Sequence, residues 1–425
     1  MRSLKKGPFI DDHLLWMPST GAIPLYEVAP LLTGLSWFVL PANLSDLLHD
    51  LRRIATEQSL YLAVWVAGLL AFVALRRRAL NDLRETAAAT RKVRSDSLMA
   101  TSKSLLATLL LILPLPWALV GGGLLLGHLS AANEYSVVIA IGLQSAGHTL
   151  LLLRTLRQIC RTDGLARTHL GWTPVLCDHL GRQAMWLAPM AAPLAFFTST
   201  GATSVPSVFI QLSSVLQIDV PGLPSLGRLS MVALMLLLAM AVYRIWRRNG
   251  PVMEAIASSP DKAKWASYHV LWFAPSVLLP LFVAAAALVG FYYTSTFLAA
   301  KAGETIWFIL VLVVLKGLVL RGIYVAQRRL RFEEALRYRE EASVRQTGSS
   351  ELPADTKVEE LPLEEEKPNY GELGDQVRQL VKLGFTISLL VGLWLIWRDD
   401  IPALNFLDEI ALPISTSKLV DGVST

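Results

Sequence analysis

The chain has few of the residues on which catalytic and metal-binding chemistry depends. Only two of its 425 residues are cysteine, and its seven histidines are dispersed along the sequence. No P-loop, GxSxG or HExxH motif occurs, and no set of cysteine and histidine residues has the spacing of metal ligands. The sequence therefore predicts a protein that is not an enzyme and that has no catalytic residues, no cofactor and no metal site.

Charge is also sparse in this chain. Charged residues make up 17% of the sequence, hydrophobic residues make up 53%, and the formal net charge is +5. The basic residues are distributed over many short segments and do not form one basic stripe. Because nucleic-acid-binding proteins concentrate their positive charge on one surface, no nucleic acid is expected as a partner.

Eight long apolar stretches dominate the sequence. A bilayer core of about 30 Å requires ~20 apolar helical residues to cross it. Hydrocarbon offers no partner to a free N–H or C=O group, so each stretch must be a helix. The sequence predicts an all-α, polytopic membrane helix bundle of about eight transmembrane helices, with the lipid bilayer as its surroundings. The stretches are Ser59–Leu75, Leu105–Leu126, Tyr135–Leu153, Ala184–Thr200, Leu229–Ile245, Tyr268–Thr294, Ile306–Ala326 and Leu380–Trp397.

Basic residues alternate between the loops and so predict which side each loop faces. Loops Gly127–Glu134 and Gly201–Gly227 contain no lysine or arginine, and the loop after the sixth stretch contains only Lys301. Basic residues next to membrane spans are retained in the cytoplasm. The segment before the first span and the C-terminal tail are therefore predicted on the periplasmic side of a bacterial inner membrane. The predicted cytoplasmic loops are Arg76–Ser104, Arg154–Gln183, Trp246–Ala266 and Gln327–Val377.

Composition divides the chain into four predicted regions. Residues 1–58 form an N-terminal segment, in which the apolar run Leu31–Leu40 is too short to span and is predicted to be interfacial or a partial helix. Residues 59–326 form a membrane domain with seven spans. Residues 327–379 are predicted as a charged cytoplasmic helix followed by an acidic, disordered linker. Residues 380–425 contain the eighth span and the outer tail.

A few polar and small residues inside the spans are candidates for packing or function. Lys316 lies near the middle of the seventh span, where an unpaired charge must face the bundle, water or a partner, or reach the headgroups. His148 and Gln144, one turn apart in the third span, can be a packing pair or a proton relay. Gly123 and Gly127 form a GxxxG pattern that allows close contact within the bundle or between two chains.

Proline occurs inside three of the predicted spans. Neighbouring helices can satisfy the carbonyls that proline leaves free, so proline bends a membrane helix without excluding it. The bends are either packing geometry or hinges in a protein that changes shape. The residues are Pro114 and Pro116, Pro189 and Pro193, and Pro275 and Pro280.

Several short sequence blocks follow one another along the chain. They are, in chain order, Lys92-Val-Arg-Ser-Asp-Ser97, Leu113-Pro-Leu-Pro-Trp117, Gly164-Leu-Ala-Arg-Thr-His169 with Trp172, Gly290-Phe-Tyr-Tyr-Thr294, Arg321 with Arg328-Arg329, Gly392-Leu-Trp-Leu-Ile-Trp397, Arg398-Asp-Asp-Ile-Pro-Ala-Leu404 and Phe406-Leu-Asp408. In these blocks the chain resembles the inner-membrane domain of large MscS-type mechanosensitive channels, the MscK/KefA kind. The resemblance covers Leu60 to Leu412 and includes Arg321, Trp394 and Trp397 as candidate packing or functional residues.

The resemblance implies a function in osmotic protection. Such channels open under bilayer tension and release ions with weak selectivity. In that family the pore-forming unit follows this domain, and the chain is expected to lack it. The implied partners are a homo-oligomer or a pore-forming subunit. The alternative hypothesis is a transporter-like membrane protein with Lys316 and His148 as its polar site.

The first fifteen residues resemble a different family. Met1-Arg-Ser-Leu-Lys-Lys-Gly-Pro-Phe-Ile-Asp-Asp-His-Leu-Leu15 is similar to the start of small-subunit ribosomal protein nineteen, whose members bind ribosomal RNA. The similarity ends after this stretch, without the basic tail of that family. A fused reading frame or a misassigned start is expected, and RNA binding by these fifteen residues is the third hypothesis.

The predicted topology can be tested by cysteine labelling. A single cysteine at Ala132 or Ser207, in a chain whose Cys160 and Cys177 are replaced by alanine, should react with a membrane-impermeant thiol reagent added from the periplasm. A cysteine at Arg91 should react only after the membrane is permeabilised, because the charge distribution places it in the cytoplasm. Labelling at Arg91 in intact cells would contradict the topology.

Overall fold

The computed structural model describes residues 29–90, 98–128, 133–202, 220, 222–248, 250, 252–254, 269–348 and 370–398. These ranges contain helices and no strand, so the predicted all-α membrane bundle is confirmed. The predicted features outside the described residues are the ribosomal-like stretch Met1–Leu15, the block Lys92–Ser97, the acidic linker and the tail after Arg398.

Twelve helices follow one another in the described part of the chain. Several of them begin with proline at the first or second position. The N–H groups there have no partner within the helix, so their absence in proline costs no hydrogen bond. The helices are α1 (Ala29–Val39), α2 (Pro41–Glu57), α3 (Ser59–Ala89), α4 (Leu98–Ile112), α5 (Pro114–Gly127), α6 (Glu134–Ile159), α7 (Leu165–Thr168), α8 (Pro174–Gly201), α9 (Leu223–Trp246), α10 (His269–Val289), α11 (Tyr292–Gly348) and α12 (Tyr370–Trp397).

By length and composition, 5 of these helices can cross a membrane, or up to 7 spans form if each of two bent helix pairs is one span. The five are α3, α6, α9, the Tyr292–Arg328 part of α11 and the Gln379–Trp397 part of α12. The bent pairs are α1 with α2, at 41°, and α4 with α5, at 54°. The predicted fourth and sixth spans, in α8 and α10, contain two prolines each, and the apolar part of α10 is short.

The predicted second span is two helices, α4 and α5, which meet at Leu113. Proline has no N–H group and its ring collides with the carbonyl four residues earlier, so Pro114 and Pro116 interrupt the hydrogen-bond ladder at two places in succession. In contrast, Pro189 and Pro193 lie inside an uninterrupted α8. At Pro114 and Pro116 the predicted bend is a 54° break between two helices.

The predicted boundary between the sixth and seventh spans is wrong. The sixth span does not run to Thr294, because α10 ends at Val289 and Gly290 has a φ of 121°, which glycine adopts most readily. The N–H groups of Gly290 and Phe291 both bond to the Ala286 carbonyl and end the helix. The predicted loop around Lys301 is helical and belongs to α11.

The last two described helices are longer than their predicted spans. α11 contains 57 residues and joins the seventh span and the predicted charged helix without a break. α12 begins at Tyr370, ten residues before the predicted start of the eighth span at Leu380. Apolar periodicity detects only the part of a helix that lies in hydrocarbon, so it cannot show where a polar extension begins or ends.

Helix ends gather at two opposite ends of the bundle, here named end A and end B. At end A, the Tyr292 hydroxyl at the start of α11 donates to the Thr198 carbonyl at the end of α8. At end B, Lys103 of α4 pairs with Asp82 of α3 at 2.8 Å, and His179 of α8 contacts the Arg244 carbonyl of α9. The arginine-rich loops join helices at end B, and the arginine-poor loops join them at end A.

Burial differs sharply between the middle and the edges of the bundle. α6 packs against α5 and α8, and α9 packs against α8 and α10. In the most apolar segments of α6 and α9, 56% of the residues are buried, whereas 0% are buried in those of α3 and α12. α6, α8 and α9 are therefore the core of the structure, and α3 and α12 lie at its edges.

Small residues allow the closest helix contacts. Gly201 at the end of α8 lies against Gly227 near the start of α9, and a Cβ atom on Gly227 would also lie 2.5 Å from the Tyr292 hydroxyl. At the edge, Gly68 of α3 accommodates the Trp117 ring, whose indole N–H donates to the Trp65 carbonyl at 3.2 Å. The Trp65 indole N–H donates in turn to the Trp117 carbonyl, so two reciprocal hydrogen bonds join α3 to α5.

Gly227→Ala should destabilise the bundle, since the added methyl group cannot avoid Gly201 and Tyr292. The expected loss of unfolding free energy is about 1–3 kcal/mol, as for overpacked cores. The melting temperature in detergent can be followed with a thiol-reactive dye, because Cys160 and Cys177 are buried and become accessible only on unfolding.

The matched control is Gly303→Ala, at a helical glycine with no atom within 4 Å of a new Cβ. This change should leave the melting temperature unchanged or raise it, since alanine favours a helix over glycine. Equal melting temperatures for the two variants would contradict the close contact at Gly227.

Candidate functional site

Polar side chains in this bundle contact backbone carbonyls at the ends of neighbouring helices. No group of three or more His, Cys, Asp or Glu in the described ranges could hold a metal ion. A helix leaves its last four carbonyls without partners, and in an apolar medium each must be bonded to something else. The candidate sites of this bundle are therefore contacts between a donor side chain and a helix end.

Arg228 is the most deeply buried cationic side chain at end A. It lies in the first turns of α9 and is 4% exposed. Its guanidinium donates to the Ala287 carbonyl at 3.3 Å and to the Leu288 carbonyl at 3.5 Å, both at the end of α10. A positive charge at the carbonyl end of a helix is favourable, because the helix dipole is negative there. Arg228 therefore joins α9 to α10 electrostatically.

Tyr292 completes the junction at end A. The side chain is 0% exposed, and its hydroxyl donates to the Thr198 carbonyl at 2.6 Å. Three residues later, the Ser295 hydroxyl donates to the Val283 carbonyl of α10 at 3.1 Å. The Gly290 turn positions both residues, since it lets α11 start directly beside the end of α10. Together with Arg228, they hold α8, α9, α10 and α11 at one point.

Arg154 makes a similar contact at the break between α4 and α5. It lies on α6, and its Nη2 donates to the Leu111 carbonyl at 3.2 Å, one residue before the end of α4. Its Nε is buried and has no hydrogen-bond partner among the described residues. The side chain thus spans from the core helix α6 to the bent pair at the edge.

Lys301 joins the edge helix α12 to α11. Its Nζ donates to the Ile396 carbonyl at 3.1 Å, in the last turn of α12, and lies 5.6 Å from the Phe297 ring centroid. One turn along α11, the Thr305 hydroxyl accepts the indole N–H of Trp397 at 3.2 Å. Gly392 lies directly against the Phe308 ring. Three small contacts on one face of α11 therefore hold the end of α12.

Of the candidate residues predicted in the second and third spans, Gly123 and Gln144 are in contact, whereas Gly127 and His148 lie towards the surface. Gly123 of α5 is close to the Ala140 carbonyl and the Gln144 side chain of α6, so this glycine is at an intramolecular helix contact. The His148 ring contacts the backbone carbonyl of Gln144 at 2.7 Å, and the side chain is exposed. Gly127 is the last residue of α5 and is partly exposed.

The predicted residues of the last two spans have different surroundings. Lys316 is half-buried in α11, and no hydrogen bond or ion pair joins it to another described residue. Arg321, five residues further along α11, lies 5.6 Å from the Tyr324 ring centroid. Trp394 is 60% exposed on α12, whereas Trp397 contacts Thr305. The structure thus places Trp397 at a helix contact and Trp394 on the outer surface.

The two cysteines lie at end B, where α6 ends and α8 begins. Both thiols are free and buried. Their hydrogen-bond contact and then burial raise the pKa of Cys160, because both favour the protonated thiol. Nearby, burial lowers the pKa of His179, with a smaller opposing effect of its contact with the Arg244 carbonyl. Both shifts favour the uncharged form, which is the thiol of Cys160 and the neutral imidazole of His179.

Sequence reasoning missed Arg228 and Asp50. Arg228 directly follows a loop without basic residues, and a lone arginine at that end of a span was the available signal. Asp50 of α2 is 0% exposed, and its Oδ2 accepts the Asn133 backbone N–H at 3.0 Å at the start of α6. Nothing in the sequence separates Asp50 from the exposed acidic residues, since its burial depends on how α2 packs against α6.

Comparison with known proteins identifies the kind of domain to which these helices belong. Residues 59–412 match the family described as mechanosensitive ion channel inner membrane domain 1. The chain is 24% identical over 381 residues to mechanosensitive channel MscK of Escherichia coli, which covers 88% of this chain and 31% of that protein. It is 25% identical over 358 residues to miniconductance mechanosensitive channel MscM of the same organism. That match covers 82% of this chain and 30% of MscM.

The chain therefore spans about a third of the length of these two relatives. No solved structure matches it. The matched region contains every described helix from α3 to α12, including the junction at end A, the α4–α5 break and the contacts of α12. The predicted resemblance is confirmed over nearly the same residues. This chain, a multi-pass inner-membrane protein, belongs to the family of mechanosensitive ion channel inner membrane domains.

Proposed function

We propose that this chain senses bilayer tension as the membrane-embedded part of a mechanosensitive channel and performs no enzymatic reaction. The observation that supports the proposal is the difference in burial within the bundle. The most apolar segments of α3 and α12 contain no buried residue, whereas the core helices α6 and α9 are more than half buried at 56%. The apolar segment of α11 is likewise little buried, so α3, α11 and α12 all offer apolar surface that lipid chains would contact.

Tension acts on such a bundle through the thickness of the bilayer. A stretched bilayer becomes thinner, and a helix with an apolar segment longer than the hydrocarbon layer tilts to compensate. α12 can tilt more easily than α8 or α9, because the main contacts that join it to the bundle are with α11 alone. The core is fixed by Arg228 and Tyr292. A change in thickness should therefore move α12 relative to the core.

The proposal includes an orientation and a partner. End B carries the arginine-rich loops and is placed in the cytoplasm, so that end A and the end of α12 face the periplasm. Tension sensed by α12 would be passed to a pore-forming unit, either a further subunit or copies of this chain in a homo-oligomer. Ions released through that pore would relieve osmotic stress. In this proposal α3 to α12 line no conduit themselves.

Distances between spin labels in bilayers of different thickness test this proposal. One label pair joins the edge to the core, with cysteines in place of Leu390 on α12 and Val175 on α8. The control pair lies within the core, at Leu229 on α9 and Val175. All three sites are exposed, at 63%, 43% and 48% for Leu390, Leu229 and Val175. Cys160 and Cys177 are replaced by alanine.

The Leu390–Val175 distance should change between bilayers of short and long acyl chains, and the Leu229–Val175 distance should stay constant. Equal changes in both pairs, or no change in either, would contradict tension sensing at α12. Stretch-activated current from the purified chain alone would show that α3 to α12 contain a conducting path, contrary to the proposal.

Lys316 distinguishes a structural lysine from a transport site. Lys316→Met should leave the melting temperature unchanged or raise it, since it removes a half-buried charge without a described partner and retains most of the volume. Lys301→Met is the matched control and should lower it, because Lys301 Nζ bonds to the Ile396 carbonyl. Cation uptake into proteoliposomes that is lost in Lys316→Met, with folding intact, would instead support the transporter hypothesis.

A further inference from the structure

Three arginines come together beside the break between α4 and α5, and no carboxylate is paired with them in the described part of the chain. Arg154 reaches the break from α6, and its buried Nε has no partner among the described residues. The charges that act on its guanidinium are those of Arg157 and Arg76, and both repel it. Like charges this close are unfavourable unless an anion lies among them.

Helix geometry places these residues at a similar level of the bundle. At a rise of about 1.5 Å per residue from end A, Arg76 lies about 25 Å along α3 and Arg154 about 30 Å along α6. The break at Leu113 lies about 20 Å along α5, and the contact of Arg154 with the Leu111 carbonyl fixes the two helices to each other. Arg76 and Arg157 are exposed, so their guanidinium groups are free to approach a ligand.

Apolar side chains are exposed on the helices beside these arginines. Val73 on α3 is 72% exposed, and Leu106 and Leu109 on α4 are 60% and 43% exposed. The break therefore combines positive charge with an apolar surface. A soluble anion would satisfy only the charge, whereas a phospholipid would satisfy both, through its phosphate and its acyl chains. Guanidinium groups match phosphate well, because two N–H groups can bond to two oxygens at once.

We infer that the α4–α5 break is a phospholipid site, in which Arg76, Arg154 and Arg157 bind the phosphate and the exposed face of α4 contacts an acyl chain. The ligand class is an anionic membrane phospholipid, whose net charge the three arginines offset. The site depends on the chain lying in a membrane and is independent of whether α12 senses tension. A lipid held there would occupy the angle between the two halves of one bent span.

The experiment uses the full chain reconstituted in phosphatidylcholine vesicles. A trace of spin-labelled phosphatidylglycerol or spin-labelled phosphatidylcholine is added, and the motionally restricted fraction gives the relative association of each lipid. Arg76→Gln/Arg157→Gln removes two exposed guanidinium groups, with little effect on folding expected. The control is Arg247→Gln/Arg248→Gln, which removes two exposed charges after α9, also at end B.

The unaltered chain should prefer phosphatidylglycerol, and Arg76→Gln/Arg157→Gln should reduce this preference by about fivefold for each guanidinium removed. The control variant should retain it, and millimolar inorganic phosphate should not displace the lipid. Arg154→Lys keeps the charge and loses the forked donor, so its preference should be intermediate.

Three results would overturn the inference. The first is an equal loss of preference in both double variants, which would indicate a diffuse charge effect over end B. The second is the absence of any preference for phosphatidylglycerol over phosphatidylcholine. The third is displacement by inorganic phosphate, which would assign the arginines to a soluble anion.

Discussion

The structure depends on one constraint: a carbonyl at the end of a helix in an apolar medium must find a donor from another helix. Four helix ends in the described part of the chain meet this constraint with a side chain of a neighbouring helix. Arg228 serves α10, Tyr292 serves α8, Arg154 serves α4 and Lys301 serves α12. These donors are basic or hydroxyl-bearing, which matches the negative end of the helix dipole. The same bonds fix which helix ends lie next to each other.

The same bonds separate a fixed core from adjustable edges. At end A, buried side chains and the contact of Gly201 with Gly227 hold four helices at one point. At the edge, α12 packs mainly against α11, where Lys301 and Thr305 contact its last turn, and no residue of its most apolar segment is buried. Because packed cores resist continuous deformation, a change in the bilayer would be taken up first where the contacts are few. This arrangement suits the proposed role in tension sensing.

The α4–α5 break illustrates how a local sequence feature acquires a second use. Pro114 and Pro116 interrupt one span, and an arginine from α6 bonds to the Leu111 carbonyl in the last turn before the break. The contact with the backbone uses only part of the Arg154 side chain, because its buried Nε has no hydrogen-bond partner among the described residues. Arg76 and Arg157 lie close to Arg154, and an anion among the three guanidinium groups would reduce their mutual repulsion. A bent span therefore links backbone chemistry to the lipid that surrounds the bundle.

The sequence by itself determined the all-α fold class, the presence of several membrane spans and the family, and it predicted which side each loop faces. Apolar length and arginine alternation are local and composition-based, so they could be read without knowing which helices touch. Proline acts on its own helix, so the sequence predicts a bend near Leu113, whereas the turn at Gly290 lies inside an apolar run that gives no periodic signal. Lys316 and His148 are candidates by residue type alone, and residue type does not show what surrounds a side chain.

Only the tertiary structure decided which polar residues are buried and what they bond. Asp50 has no sequence feature that distinguishes it from exposed acidic residues, and the positions of Arg228 and Tyr292 in the sequence do not show which atoms they bond. Their partners are separated from them by 59 residues for Arg228 with Ala287, 94 for Tyr292 with Thr198 and 83 for Asp50 with Asn133. Contacts at such separations are set by the packing of whole helices, because the direction of a side chain depends on the rotation of its helix in the bundle.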